Sequence, residues 1–274
     1  MALKECYNKH FIMLSLLFVL GNACITAPVN NADKYNFLVF LICGFVALIF
    51  AFLAYLIPIN KLTALPIFAL CLFTVGDTFI SFIKFISDNL LPETPRFYIL
   101  LPFALILVYL GFKREDTLFK FSLICGVLSV AVVIFFFLST FKDFEFKNIF
   151  IYKLPPLDTV FSQSVFYFKS IIIPSLLLGV FAKQEGIKKG VLLGGVSLGL
   201  LCLAVTVLNS VLLFGIKFAG FLNYPYSMAG STVTFGNLFT RLDGFLYFVY
   251  SATSLSKCAV AIFITKKSRN ILVP

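Results

Sequence analysis

Few residues in this sequence have side chains suited to catalysis or to metal binding. His10 is the single His, and the seven Cys residues are scattered without forming a CxxC pair. A Ser/His or Cys/His relay, or a His-based metal site, therefore lacks a plausible set of partners. Most Asp and Glu residues fall in or beside the connections between apolar segments. We expect no enzyme activity, no cofactor and no metal.

Asp77 is an acid inside a long apolar segment. Gly76 precedes it, and Thr78 and Ser81 follow it at the spacing of one helical face. A charged group at membrane depth costs roughly 2.5 to 3.5 kcal/mol on insertion scales unless it faces a partner or a wet cavity. Two interpretations of Asp77 remain open: a paired or snorkelling structural acid, or a proton or cation site on a pathway.

Lys257 is a base inside the last apolar segment, and the polar residues Ser251, Ser254 and Ser256 surround it. Ser251 and Ser254 share one helix face, and Lys257 borders that face. Lys257 is interpreted either as one half of a salt bridge between helices or as a ligand-binding group. In the second case we expect it to line the same polar interior as Asp77.

Long apolar segments position these residues. The composition is 61% hydrophobic and 12% charged, and the mean hydropathy is +1.03, far from the values of soluble domains. Uninterrupted apolar runs favour helices over a membrane barrel. We therefore predict an all-α integral membrane protein, one polytopic domain over residues 1–274, with about eight transmembrane helices near 11–28, 37–57, 62–86, 97–112, 119–138, 166–182, 191–215 and 238–265.

Two of the predicted spans contain helix-breaking residues at membrane depth. We predict that the first span unwinds near Gly21 to Thr26 and that the sixth unwinds near Ser170 to Ser175, around Pro174. The ends of half-helices present dipoles that suit a carboxylate or an ammonium group. Spans one and six stand five helices apart, which is the offset of a five-plus-five inverted repeat.

Lys and Arg residues are unevenly divided between the two sides of the predicted bundle. The connections on the side of the termini carry about twice as many as the opposite connections, which predicts that both termini are cytoplasmic. This bias also explains the formal net charge of +10 through anionic lipid headgroups. We expect no nucleic-acid partner.

Several local strings resemble the spore germination permease family, the B subunits of nutrient germinant receptors, within the amino acid–polyamine–organocation superfamily. They are KHFIMLSLLFVLGNACITAP at the first span, NLLPETPRFYIL after the third, FKNIFIYKLPPL after the fifth, and the run from Tyr224 to Phe263. In that family a Lys commonly occupies the place of Lys257. The order and spacing of the strings agree along nearly the whole chain.

The resemblance implies a LeuT-like bundle of ten helices, which this sequence leaves truncated after the eighth. It also implies a ligand between broken helices one and six and flanking helices three and eight. The connection over residues 58–62 is shorter than is usual in the family. The expected ligand-binding residues are Gly21, Asn22, Thr26, Asp77, Thr78, Ser170, Ser175, Ser251, Ser254 and Lys257.

The resemblance implies a membrane subunit of a germinant receptor in the spore inner membrane. Such a subunit would bind an amino acid or a similar small nutrient and signal to a membrane-anchored A subunit and a lipoprotein C subunit. The main alternative is a proton-coupled amino acid transporter with Asp77 as the coupling acid. A non-binding structural subunit is a third interpretation.

Overall fold

The computed structural model of the chain describes residues 2–21, 23, 36–58, 60–113, 115–149, 157–232 and 243–272. Asn22 and Thr26 lie outside the described residues. The α-helices, numbered along the chain, are α1 (Ala2–Leu20), α2 (Asn36–Leu56), α3 (Lys61–Asn89), α4 (Arg96–Phe112), α5 (Glu115–Thr140), α6 (Leu157–Tyr167), α7 (Ile173–Gln184), α8 (Lys189–Phe221), α9 (Pro225–Thr232) and α10 (Asp243–Leu272).

The described part of the chain contains helices and no strands, so the predicted all-α class is confirmed. Within the described ranges, six stretches are long and apolar enough to cross a membrane: Phe37–Leu56, Lys61–Asn89, Asp116–Asp143, Gln163–Gln184, Lys189–Gly215 and Asp243–Arg269. The shorter apolar helices Asn8–Leu20 and Arg96–Phe112 correspond to the first and fourth predicted spans. The count of eight crossings and the LeuT-like arrangement stay predictions.

Helix α1 lies in the centre of the bundle, where α5, α7, α8 and α10 all contact it. Its residues from Leu14 to Leu20 are fully buried, as expected of a helix that is apolar on all sides. Small residues on α8 allow the close approach. A Cβ on Gly195 would lie 2.7 Å from the Cβ of Ser15, and one on Gly199 would lie 2.8 Å from that of Val19. The two glycines form a G-x-x-x-G motif, which lets helices approach closely in membranes.

Two other helix pairs complete the packing, α2 with α7 and α3 with α10. The first pair is in backbone contact, because a Cβ on Gly179 of α7 would lie 2.3 Å from the carbonyl oxygen of Ala51. In the second pair, Phe82 and Phe85 of α3 pack against Tyr250 of α10. These contacts fix α7 and α10, which both contact α1, and they place α3 against α10.

The sixth predicted span does not unwind, so the prediction of a break from Ser170 to Ser175 is wrong. The chain stays helical through a π turn, Phe168–Ile172, which joins α6 to α7. Pro174 has no N–H and cannot bond the carbonyl one turn earlier, and the wider π turn before it accommodates the missing hydrogen bond. The Ile173 N–H donates to the carbonyl of Phe168, five residues back, and Pro174 falls in the first turn of α7, where a missing donor is tolerated.

Helix α8 is interrupted near its end. Gly215 has φ 70° and ψ 156°, which are not helical values. The Leu212 carbonyl, which a continuous helix would satisfy from within, accepts a hydrogen bond from the Glu145 N–H at 3.1 Å. The connection after α5 therefore caps this break, which coincides with the predicted end of the seventh span.

Candidate functional site

Helix α1 ends inside the bundle at Gly21. The Gly21 N–H still donates to the carbonyl of Leu17 at 3.0 Å, but its φ of +36° is a value that side-chain-bearing residues rarely adopt. The Gly21 carbonyl lies 3.3 Å from Oγ1 of Thr253 on α10, and it shares the hydroxyl proton of Thr253 with the Tyr250 carbonyl at 2.9 Å. The end of α1 is thus tied to the middle of α10.

Lys257 occupies the space beside this helix end. It follows Thr253 by one helical turn, and only 3% of its surface is exposed. An ideal Cβ on Gly21 would lie 2.8 Å from Cδ and 3.0 Å from Nζ of Lys257. The C-terminal end of a helix carries partial negative charge, which stabilises a nearby ammonium group.

No residue in the described ranges forms a hydrogen bond or an ion pair with Nζ of Lys257. A buried ammonium group that lacks a direct partner carries a large desolvation cost. The helix end offsets part of that cost. An anionic group placed here would offset more of it.

Asp77 pairs with Lys169, and this ion pair joins α3 to the π turn before α7. About a quarter of the Asp77 side chain and about half of the Lys169 side chain are exposed. Lys169 Nζ also lies 5.9 Å from the centre of the Phe73 ring. Both members of the pair interact electrostatically with Lys257, so the three charges form one group.

Three buried hydroxyls lie on the helices that carry or adjoin these three charged residues. Thr78, Ser175 and Ser256 are fully buried, and their side-chain oxygens have no hydrogen-bond partner among the described residues. They lie on α3, α7 and α10, and each of these helices packs against the other two. An unsatisfied buried hydroxyl costs roughly 1 to 3 kcal/mol. Such groups call for a bound polar ligand or water.

An aromatic wall stands between α3 and α10. Tyr250 is buried, shares a side-chain hydrogen bond with Ser254, and interacts electrostatically with Asp77. Its ring centre lies 4.7 Å from that of Phe85 and 5.7 Å from that of Phe82. Apolar and aromatic surface next to a few polar groups is the usual character of a small-molecule site.

Tyr224 closes the aromatic wall near the end of α3. Its hydroxyl donates a hydrogen bond of 3.3 Å to Asp88, and its ring packs edge-on against Phe85 at 5.0 Å. Burial, together with the charge of Asp88 and its hydrogen bond, raises the pKa of Tyr224 to about 12. The phenol is therefore a hydrogen-bond donor throughout the physiological range.

The structure brings together some of the predicted site residues. Gly21 and Lys257 are in contact, and Asp77 is close enough to interact with Lys257. Thr78 and Ser254 are buried on the paired helices α3 and α10, and Ser175 on the adjoining α7.

Two predicted residues use their hydroxyl protons within their own helices. Ser170 donates to the Phe166 carbonyl at 3.0 Å, and Ser251 donates to the Tyr247 carbonyl at 2.8 Å. They are weaker candidates than the three buried hydroxyls. Asn22 and Thr26 fall outside the described residues.

Sequence reasoning missed Thr253 and Tyr250, and it placed Ser256 beside Lys257 without counting it among the expected ligand-binding residues. Thr253 could have been found from its spacing, because it lies four residues before Lys257 and hence on the same face of α10. Nothing in the sequence separates Ser256 from the neighbouring serines, because only the structure shows which hydroxyl lacks a partner.

The arrangement can bind an anion or a zwitterion, and it has no catalytic constellation within the described residues. No group of three or more His, Cys, Asp or Glu that could hold a metal ion occurs there. Apolar cavities of about 290, 490 and 550 Å³ lie in grooves between other faces of the helices. At the end of α1, by contrast, the side chain of Lys257 fills the space.

Comparison with known proteins gives a family for this chain. No curated protein matches it significantly. Residues 59–273, which run from the start of α3 past the end of α10, match the spore-permease model, described as spore germination protein. The match covers well over half of the chain. This membrane-type helical bundle therefore belongs to the spore-permease family of spore germination proteins.

Proposed function

We propose that this protein is the membrane subunit of a spore nutrient germinant receptor and that it binds an amino acid or a similar small nutrient between the end of α1 and α10. The family membership supports the setting. The observation that carries the proposed site is the buried ammonium group of Lys257 beside the left-handed end of α1.

The chemistry of the site fits a zwitterion. Lys257 would pair with the carboxylate of the ligand, and carbonyls at the end of α1 would accept from the ligand's ammonium group. The hydroxyls of Thr78, Ser175 and Ser256 would gain the partners they lack. Tyr250 and its aromatic neighbours would contact the apolar part of the ligand.

Ligand binding at this place would move Lys257. Its side chain fills the space beside Gly21, so a ligand that reaches the end of α1 displaces Nζ from it. The displacement weakens the contact between α1 and α10 and favours a second arrangement of the two helices. A ligand shifts such an equilibrium only by its differential affinity for the two arrangements.

In this proposal the rearrangement passes to a membrane-anchored A subunit and a lipoprotein C subunit in the spore inner membrane. The full receptor bundle would be LeuT-like, with both termini in the cytoplasm. No chemical step is required of the protein. Its output is the change in helix packing.

The second candidate is a proton-coupled amino acid transporter. The ion pair between Asp77 and Lys169 favours it, because protonation of Asp77 would release Lys169 and free the π turn that carries it. This provides a route from a proton to the helices around the site. It would make Asp77 essential for uptake.

Two measurements separate the candidates. Spores that lack this chain are exposed to a panel of amino acids, sugars and nucleosides, and a receptor predicts loss of germination to a defined subset that the restored gene recovers. Membrane vesicles containing the protein are then given the radiolabelled active nutrient. Accumulation driven by a proton gradient would identify a transporter. Unchanged germination to every compound would overturn the receptor proposal.

A further inference from the structure

The end of α2 is held by Lys183, a lysine in the last turn of α7. Nζ of Lys183 donates to the carbonyls of Leu56 at 3.0 Å and Ile57 at 2.6 Å. These are terminal carbonyls that the helix itself leaves without partners, and a cation there also complements the helix dipole. The ammonium group of Lys183 is therefore fixed at the edge of the bundle.

A second lysine is held at the same edge. Nζ of Lys189 lies 5.6 Å from the ring centre of Phe52 and 5.8 Å from that of Tyr55, both on α2. The hydroxyl of Tyr55 donates to the carbonyl of Ile187 at 3.0 Å, which fixes the connection immediately before Lys189. The two aromatic rings place the cation without neutralising it.

The local charge is strongly positive. Lys188 and Lys61 are exposed, Lys188 next to Lys189 and Lys61 four residues after Ile57. We name Lys61, Lys183, Lys188 and Lys189 the Lys-rich edge. Glu185 is the one acid in the connection from α7 to α8, and Lys267 of α10 is paired with it.

An apolar cavity of about 290 Å³ lies directly against the Lys-rich edge. Its walls come from α2, α3 and α7 and include Leu53, Ile57, Pro66 and Val180. Ile57 links the two features, because its side chain lines the cavity while its carbonyl binds Lys183. Leu53 and Ile57 are each 47% exposed, so the cavity opens to the side of the bundle, where lipid tails lie.

We propose that this cavity and the Lys-rich edge form a binding site for an anionic phospholipid, with an acyl chain in the cavity and the phosphate against Lys183 and Lys189. A tail alone would fit any apolar groove, and a phosphate alone would fit any exposed lysine. Because the cavity and the Lys-rich edge are adjacent, together they favour a molecule that carries both an acyl chain and a phosphate. Basic pockets between membrane helices bind acidic headgroups, and lysines already held in place lose little freedom on binding.

The bound lipid would clamp three helices. Its tail contacts α2, α3 and α7, and its headgroup contacts the start of α8 through Lys189. Occupancy therefore stabilises the folded protein by mass action. This inference is independent of the nutrient site, because it involves none of the residues around Lys257.

The test uses the purified full chain in a neutral detergent. Thermal unfolding is followed while phosphatidylglycerol or phosphatidylcholine with identical acyl chains is added. We expect phosphatidylglycerol to raise the midpoint at concentrations at which phosphatidylcholine does not. Glycerol phosphate, which has the anion without the tails, should have no effect. Equal responses to the two lipids, or a full response to glycerol phosphate, would overturn the proposal.

Matched variants locate the site. Replacing the two exposed lysines, Lys188→Gln with Lys189→Gln, should raise the phosphatidylglycerol concentration needed for half-saturation roughly tenfold. The control pair, Lys142→Gln with Lys217→Gln, removes the same charge from exposed positions toward the other end of α8 and should leave the response unchanged. Equal weakening in both pairs would indicate a diffuse charge effect and contradict the site.

A third variant tests the tail. Leu53→Trp partly fills the cavity from a residue that is already half exposed, and it should weaken the phosphatidylglycerol response while leaving every lysine in place. As a measurement that needs no variant, native mass spectrometry of wild-type protein extracted from membranes should show retained anionic phospholipid. Retention of zwitterionic lipid in its place would contradict the proposal.

Discussion

Nζ of Lys257 lies 3.0 Å from the position that a Cβ on Gly21 would take. The lysine therefore stands where any other residue at position 21 would put its side chain. Glycine is required here for two reasons, the left-handed backbone and the occupied space. The pair joins the end of α1 to α10 at the centre of the proposed nutrient site.

Gly21→Ala should lower the stability of the protein through both effects. Strain at a positive φ costs roughly 1 to 3 kcal/mol, and displacement of the buried lysine adds to it. Gly186→Ala provides the control, because Gly186 also has a positive φ of 65° but nothing lies within 4 Å of its Cβ position. Thermal unfolding in detergent measures both variants. Equal losses would show that Lys257 does not crowd position 21.

The crowding should also appear as an interaction between the two positions. The double variant Gly21→Ala with Lys257→Ala has no clash, so its loss of unfolding free energy should be smaller than the sum of the losses in the two single variants. Strict additivity would contradict the contact.

Asp77→Asn should lower the amount of folded protein because it leaves Lys169 unpaired at membrane depth. An unpaired lysine costs roughly 2.5 to 3.5 kcal/mol at the centre of a span, and less here because half of the Lys169 side chain is exposed and can snorkel. The double variant Asp77→Asn with Lys169→Gln removes both charges and should recover abundance. If the double variant loses as much abundance as the two single variants added together, the ion pair between Asp77 and Lys169 does not stabilise the protein.

Gly179→Ala should damage the packing of α7 on α2. Its Cβ would lie 2.3 Å from the Ala51 carbonyl oxygen, and a backbone atom cannot move aside without shifting the helix. Overpacking of this kind costs roughly 1 to 3 kcal/mol or more. In the control Gly194→Ala, nothing lies within 4 Å of the new Cβ, and better helix propensity should leave the protein unchanged or slightly more stable. A similar unfolding midpoint for the two variants would contradict the close crossing.

Much of the fold follows from the sequence because apolar length is a strong signal. The predicted spans at 37–57 and 97–112 match α2 and α4 to within one residue at each end. The fate of the sixth span was not predictable from composition. Pro174 signals a disturbed helix in either case, and the choice between an unwound segment and a π turn depends on where the flanking helices pack.

The candidate site, like the fold, could be predicted only in part from the sequence. Charge at membrane depth identified Asp77 and Lys257 from the sequence, since such charges are costly and rarely placed without a role. The partner of Asp77 could not be identified, because Lys169 meets Asp77 only through tertiary packing. The contact of Lys257 with Gly21 likewise joins residues far apart in the chain.

Single-cysteine probes, Lys147→Cys and Lys188→Cys, should lie on opposite sides of the membrane, as the Lys and Arg bias predicts. Both positions are exposed. The described native cysteines, Cys43, Cys71, Cys125, Cys202 and Cys258, are buried and should label slowly. Cys6 and Cys24 are replaced by Ser, and an impermeant maleimide is applied to one side. Labelling of both probes from the same side would show that the predicted topology is wrong.

The most direct test of the central claim is the nutrient dose response of germination in spores that carry Lys257→Ala at normal receptor abundance, measured beside Ser256→Ala and Ser251→Ala. We predict at least a tenfold rightward shift for Lys257→Ala and a smaller shift for Ser256→Ala, because each loses a group that faces the ligand. Ser251→Ala should match the wild type, because its hydroxyl bonds within its own helix. An unchanged dose response for both Lys257→Ala and Ser256→Ala at normal abundance would contradict a nutrient site at the end of α1.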